Sequence, residues 1–490
     1  MRKVTWILGL LVICLFTTSA FALSEFPKAK DYLNEKNVSS VILQKAPLPD
    51  DYLFPNDWVK TFDWAAVRKQ FEGTEITIAG EGTDMGAPQM FVDHFQKLSG
   101  IKVNLIGIPP ENLFEKLLIA FASKVSTYDG IEYYSVNQPV FASFLEDLGP
   151  YIDKYKYDWN DWLPLWQEFC TLDGKVLALP YDCDAQFFLS RAKFLKDAGY
   201  DRNPQTWDEV VEYCEKLKNV LPADVYPMGL MANRSFFLLE TFVDIAASFG
   251  MNLLKPGTWE PGINSPEGVK ALDFTKMLLD KYCAPGSTTW GYTEHLEAWN
   301  AGQFAMCMQY PNQESYNPGM ARIASEERWH SIIPKGPGEK GRYAPDGTYT
   351  TSILGILKNS KNKDAAFLFT SFLSSSEVSF IYTITGTGLD FGRKSVFENP
   401  ITQKMYMNNQ AWLDSAPYFY FFPRIIELPD LVSSIVPHLH DAVTGAVSSQ
   451  EALDLAAEEW KAILDQGGYY GPDAPPPQTL WMQDVLNAKK

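Results

Sequence analysis

Apolar residues along this chain form three kinds of run, and each predicts a different element. The first is a single block, Ile7 to Phe16, broken by Gly9 and preceded by Arg2 and Lys3. It is about half the ~20 residues a membrane-spanning helix needs. Ala20-Phe21-Ala22 follows, the small-x-small pattern that a signal peptidase reads. The block predicts an export signal cleaved after Ala22, with Leu23 as the mature N-terminus. Cys14 follows Ile13 rather than a small residue, which argues against a lipidated start and for a soluble protein in the periplasm. Nothing later in the chain is apolar and long enough to span a bilayer.

The second kind begins at Glu75, where short β-rich runs alternate with helical periodicity. Glu75-Ile76-Thr77-Ile78-Ala79 predicts a strand that ends in the loop Gly80 to Asp84. Pro88 suits the first turn of a helix with Phe91, Val92, Phe95 and Leu98 on one face, and Gly100 stops it. A strand over Lys102–Ile108 follows. A helix with Leu113, Phe114, Leu117, Leu118 and Phe121 on one face comes next, then a strand over Tyr128–Tyr134. Strand–helix alternation of this kind implies a parallel sheet covered by helices. Leu172-Asp173-Gly174-Lys175 reads as a hairpin turn. Thr206 with Glu209, and Ser448 with Glu451, read as capping boxes before amphipathic helices. Ser265-Pro266-Glu267 starts another helix.

The third kind has no clear period. Residues 23–73 carry Pro27, Pro47, Pro49 and Pro55, mixed charge and one helix-like stretch, Trp58 to Phe71. They predict an extension that packs on the body or lies along its surface. The tail from Gly467, with Pro475, Pro476 and Pro477, predicts irregular structure.

Length adds that 490 residues need more than one folding unit. Net charge is −18, and loss of Arg2 and Lys3 with the signal makes it about −20, which disfavours nucleic acid and anionic membranes as partners. Five cysteines remain after export, at 170, 183, 214, 283 and 307, spaced too irregularly for a disulfide framework. The chain holds 14 Trp, 24 Tyr and 31 Phe. Most will be core, but Trp and Tyr faces also stack on sugar rings.

Several motifs then recur in a recognisable order. They are Phe95-Gln96-Lys97-Leu98-Ser99-Gly100-Ile101-Lys102-Val103, Tyr128-Asp129-Gly130-Ile131, Asp173 to Tyr181 and Thr206-Trp207-Asp208-Glu209. Ala298 to Met306, Ser360 to Ala366 and Gly392-Arg393-Lys394-Ser395-Val396 continue the series. Over roughly residues 74–465 this order resembles the family 1 extracellular (periplasmic) solute-binding proteins of carbohydrate ABC importers, the maltose-binding-protein group. The resemblance implies an α/β, two-lobed periplasmic-binding-protein fold of type II, each lobe a mostly parallel sheet flanked by helices. It puts hinge crossings near Asp182, His330 and Ser375. One lobe would take residues 74–183 and 331–374, the other 184–330 and 375–490. It further implies a monomer without a cofactor, a carbohydrate or polyol ligand, and the permease subunits of an ABC importer as partners.

Ligand contacts are expected at the carboxyl ends of the parallel strands and at the crossings. The candidates are Glu81, Thr83 and Asp84 after the first strand, Tyr134 (or Tyr133) after the third, and Tyr181, Asp182 and Asp184 at the first crossing. Trp290 and Tyr310 are the stacking candidates, with Trp299 read as core. Arg393 offers a planar fork for hydroxyl pairs, or could pair with Asp390; Arg424 is a weaker candidate. No metal site is expected, since His94, His295 and His330 stand alone and His438-Leu439-His440 lacks partners at zinc spacing. An exported glycosidase, which needs only two placed carboxylates, is the alternative from another class. A binding protein that serves a chemoreceptor or sensor is another.

Overall fold

The computed structural model describes residues 28–33, 48–50, 52–55, 57–82, 84–123, 127–310, 326–345, 351–385, 389–405 and 409–488. The export signal and Thr83 lie outside the described residues.

Two separate sheets carry the α/β pattern. The first contains β1 (Glu75–Glu81), β2 (Lys102–Ile108), β3 (Gly130–Tyr134), β6 (Ala178–Asp182) and β11 (Ser352–Ile356), in the order β2-β1-β3-β11-β6. β1 runs parallel to β2 and β3, whereas β11 is antiparallel to both its neighbours. The second contains β7 (Phe187–Arg191), β8 (Tyr226–Gly229), β9 (Phe304–Gln309) and β10 (Arg328–Ser331), in the order β10-β7-β9-β8. There β8 and β9 are parallel, and β7 is antiparallel to β9 and β10. Two strands, β4 (Thr171–Leu172) and β5 (Lys175–Val176), form a small hairpin. Asp173 and Gly174 take φ of 50° and 75° at its turn, the left-handed pair a two-residue hairpin needs.

The expected helices follow from the same patterning. Gly86–Ser99 buries Phe91, Val92, Phe95 and Leu98, and Gly100 ends it at φ 73°. Thr206 caps the helix Trp207–Leu217 by accepting the Glu209 N–H. Glu209 completes only half of a capping box, because its carboxylate takes the Gln205 N–H and the Arg202 guanidinium instead. Among the described residues no single helix is long and apolar enough to cross a membrane. The apolar helices Lys363–Leu373 and Ser376–Thr385 meet at 48° and are buried inside the protein. All five described cysteines are buried.

Among the described strands, the chain passes between the sheets at two places. β6 ends at Asp182 and β7 begins at Phe187; β10 ends at Ser331 and β11 begins at Ser352. The described part of the extension, which has little periodicity, contributes to the core. Trp64 is 3% exposed, sits edge-on to Phe95 and Phe372 at 5.9 and 6.2 Å and donates its indole N–H to the Val59 carbonyl. Phe54 and Tyr52 each lie 5.4 Å from Phe380 of the helix Ser376–Thr385. Lys60 faces the buried Glu377 at 3.5 Å, and Asp57 accepts the Glu377 N–H.

Because this packing is interior, Trp64→Ala should destabilise the protein by about 3–5 kcal/mol, the usual cost of truncating a buried Trp. A urea midpoint that does not move would show that the extension is only an appendage.

Candidate functional site

Strand register assembles the site. Ser352 of β11 lies opposite Tyr134 of β3 on one side and Asp182 of β6 on the other, so these three residues form a row across the sheet. One strand further, the Tyr134 hydroxyl donates to Glu81 Oε2 at 2.6 Å. The Glu81 N–H donates to Glu132 Oε2 at 2.5 Å. Glu132 reaches that position because residue 80 is glycine: a Cβ there would lie 2.5 Å from Glu132 Oε2 and 2.7 Å from its Cβ. The Tyr181 hydroxyl donates to the Asp84 carbonyl at 3.0 Å, and Ser352 Oγ donates to Asp84 Oδ2 at 3.4 Å.

The crossing after β6 adds more acid. Asp390 stands in the loop after the helix Ser376–Thr385; its N–H donates to Asp182 Oδ1 at 2.7 Å, and its carbonyl accepts from Cys183 N–H at 3.0 Å. Gly392 follows, where a Cβ would strike Trp166 at 2.2 Å and Cys183 Sγ at 2.7 Å; this loop therefore fits the crossing only with glycine there. Asp182, Asp184 and Asp390 each place a carboxylate oxygen within 4.8 Å of the others'. At such a separation, with an effective dielectric of ~20, two full negative charges repel by about 3 kcal/mol.

The second sheet supplies the opposite wall. Phe187 pairs with Gln309, which brings Gln186 beside Tyr310; the Gln186 amide lies 3.5 Å from the Tyr310 hydroxyl. Tyr310 donates to Glu240 in the helix Phe236–Ser248. Tyr292 lies 6.0 Å from Tyr310 and 6.2 Å from Phe237, and Phe236 lies 6.5 Å from Tyr134 across the cleft.

Glu132, Asp182, Asp184, Glu240 and Asp390 are buried, while Glu81 and Asp84 are half-buried. Burial is the largest influence on the acids below, and neighbouring carboxylates add to it. It raises Asp84, with Glu81, Glu132 and Asp182 contributing. It raises Asp182, with Asp184 and Asp390 contributing, and Asp184, with Asp390, Asp84 and Glu240 contributing. Burial and then the Glu81 charge lift Glu132 to about 7.

Of the residues singled out in the sequence, Glu81, Asp84, Tyr134, Tyr181, Asp182, Asp184 and Tyr310 come together here. Arg393 does not join them. Its guanidinium donates to the Ser374 carbonyl, to Asp161 and to the Tyr157 hydroxyl, and it lies 4.5 Å from the Trp162 ring. No bond joins it to Asp390 among those its guanidinium makes here. Arg424 binds the carbonyls of Glu168, Phe169 and Thr171 and the side chain of Gln138. Trp290 is half-buried against Phe304 and His295 at 6.1 and 6.2 Å. Tyr133 and Trp299 are core. Sequence reasoning did not single out Glu132, Gln186, Glu240 or Tyr292, and weighed Asp390 only as a partner for Arg393; the structure places all five beside these residues. A carboxylate inside the apolar run Gly130–Tyr134 was a usable signal for Glu132.

Asp182, Asp184 and Asp390 are the described residues with the spacing of a cation ligand set, of the hard oxygen type. Chemically, the site can accept many hydrogen bonds and offer aromatic faces.

Residues 79–379 match the family described as bacterial extracellular solute-binding protein, and the chain belongs to that family. Its fold is the two-lobed, type II arrangement. A maltose-bound MalE3 of T. maritima superposes with a TM-score of 0.72 at 25% identity, over 80% of this chain and all of that one. A mannitol-binding protein of Pseudomonas aeruginosa is 23% identical over 64% of this chain and 75% of its own length. A probable amino-acid ABC transporter periplasmic-binding protein of Sinorhizobium fredii is 23% identical over 82% of this chain and 91% of its own. The motif order had implied this membership.

The Glu132 carboxyl titrates at about 7 when folded against an ordinary 4.5, so the folded state holds more protons than the unfolded chain between those values. Its contribution to stability is complete below about pH 4.5 and declines as pH rises through about 7. Glu132→Gln should therefore flatten the pH dependence of unfolding free energy between pH 5 and 8, by up to about 3 kcal/mol. Parallel wild-type and variant curves would contradict this.

Proposed function

We propose that the protein captures a carbohydrate-like solute between its two lobes and hands it to an ABC importer, without chemical turnover. The observation that carries the reading is the row Tyr134–Ser352–Asp182 facing Tyr310 and Glu240, acceptors and aromatic faces at the carboxyl ends of strands. Carboxylates that receive ligand hydroxyls contribute ~1.5–3 kcal/mol per bond. Three or four such bonds with one stacked ring would give micromolar affinity after ordering costs. The maltose- and mannitol-named relatives favour this ligand class; the amino-acid-named one widens it to polar solutes.

The contacts we assign are Glu81, Asp84, Tyr134, Tyr181, Asp182, Asp184 and Tyr310. Lobe limits follow as 74–183 with 331–374 and 184–330 with 375–490, the helix Ser376–Thr385 reaching back onto the extension of the first lobe. Contacts from both lobes make closure more favourable with ligand than without it. The protein would work as a periplasmic monomer after cleavage at Ala22, with the permease subunits as its partner.

Thermal shift against sugars, polyols and sugar acids should find at least one that raises the melting temperature. Asp184→Asn should weaken its binding by tenfold or more in calorimetry. Labelled oligosaccharides should be retained unchanged. An inert carbohydrate panel, or hydrolysis of the oligosaccharide, would overturn the proposal.

A further inference from the structure

Side chains alternate where the chain leaves the first sheet for the second. Leu179, Tyr181, Cys183, Ala185, Phe187 and Leu189 all enter one hydrophobic core. Asp182, Asp184 and Gln186 therefore share the opposite face, and Phe188 carries that face on into the second core. Main-chain bonds hold the alternation in place: Cys183 N–H donates to the Asp390 carbonyl, and the Asp184 carbonyl accepts from Thr351 Oγ1. Gln186 is thus the third polar residue of a row that begins with the two aspartates assigned above as contacts. It is 1% exposed.

The fold leaves the Gln186 amide half used. A glutamine carries two N–H donors and an oxygen with two lone pairs. The amide nitrogen lies 3.5 Å from the Tyr310 hydroxyl, at the outer limit of a hydrogen bond. That hydroxyl gives its own proton to Glu240, and the Tyr310 N–H is given to Gln309 Oε1 at 2.8 Å. The Gln186 amide oxygen has no hydrogen-bond partner. Turning the amide over leaves the oxygen unpaired as well, because it would then face a hydroxyl whose proton goes to Glu240.

Buried acceptors in folded proteins are normally paired, and methionine would fill a similar volume with no acceptor to satisfy. A partner that arrives with the solute accounts for the oxygen on this face. We infer that Gln186 is a specificity-determining contact, its amide oxygen accepting a hydroxyl proton from a neutral sugar or polyol and its second N–H serving the same or the adjacent hydroxyl. This rests on the solute-capture reading above and deepens it. An amide suits neighbouring hydroxyls because both partners donate and accept. A carboxylate in its place would only accept, and would add charge to a face that already carries Asp182 and Asp184.

Calorimetric titration of the wild-type protein and of Gln186→Met with D-mannitol, ribitol, D-glucose and maltose tests this, together with the melting temperature of each protein without solute. Removing an unpaired buried acceptor should leave that melting temperature unchanged or higher. The solute that the wild type binds most tightly should bind Gln186→Met about tenfold more weakly or worse, the loss of at least one buried hydrogen bond. Opposite signs separate a contact from a purely structural residue, whose loss would lower the melting temperature and spare affinity. A lower melting temperature for Gln186→Met, or an affinity equal to that of the wild type, overturns the inference and leaves solute capture standing. A wild type that binds none of the four overturns both readings together.

Discussion

Several carboxylates share one water-poor space where the chain crosses between the sheets, and they cannot all be charged there at once. That constraint organises the protein. Around Asp182, Asp184 and Asp390 the oxygens approach within 4.8 Å, and burial removes the solvent that would screen them. Protons, a partner group or a ligand must meet part of that charge. A ligand that relieves the repulsion while touching both lobes gains more from a closed arrangement than from an open one. Differential binding of that kind is what can shift a hinge equilibrium.

Much of the scaffold can be understood as holding these groups against their repulsion. The pairing of β11 with β3 and β6 fixes Tyr134, Ser352 and Asp182 in register. The Asp390 N–H, given to the Asp182 carboxylate, and the Asp390 carbonyl, which accepts the Cys183 N–H, tie this loop to the crossing, and the same loop leads to Arg393, which anchors it to Asp161, Tyr157 and Ser374. Arg393 thus acts on the site at one remove, by fixing the loop. The extension reinforces the same region from behind, through Phe54, Asp57 and Lys60 around Glu377.

Local patterning made the architecture legible. Short β-rich runs located β1, β2 and β3 within two residues, period-3.6 faces located the helices after β1 and β2, and Asp173-Gly174 marked its turn, because those signals are local. The places of Glu81, Asp84, Tyr134 and Asp182 at strand ends were legible for the same reason, since recognisable strands lead to them. The helix-like stretch of the extension was legible and forms Trp58–Thr61 and Trp64–Phe71, but its place in the core was not, because that comes from tertiary burial of Trp58 and Trp64. Asp390 and Glu240 were opaque because they join the site from segments far away in sequence. Arg393 was a plausible ligand contact by type, but type says nothing of which partner a fold will present to a guanidinium.

The central claim, that charge in the cleft sets the hinge, is tested most directly without any ligand. Ile119→Cys, on the helix Pro110–Ala122 over the first sheet, and Leu455→Cys, on the helix Ser449–Gln466 of the second core, are exposed at 67% and 41%. The described native cysteines are buried, so spin labels would mark these two positions. Pulsed electron–electron distance measurement should show a larger short-distance population at pH 5 than at pH 8, as protonation lets the lobes close. An identical distance distribution at the two pH values, or a longer one at pH 5, would contradict the account.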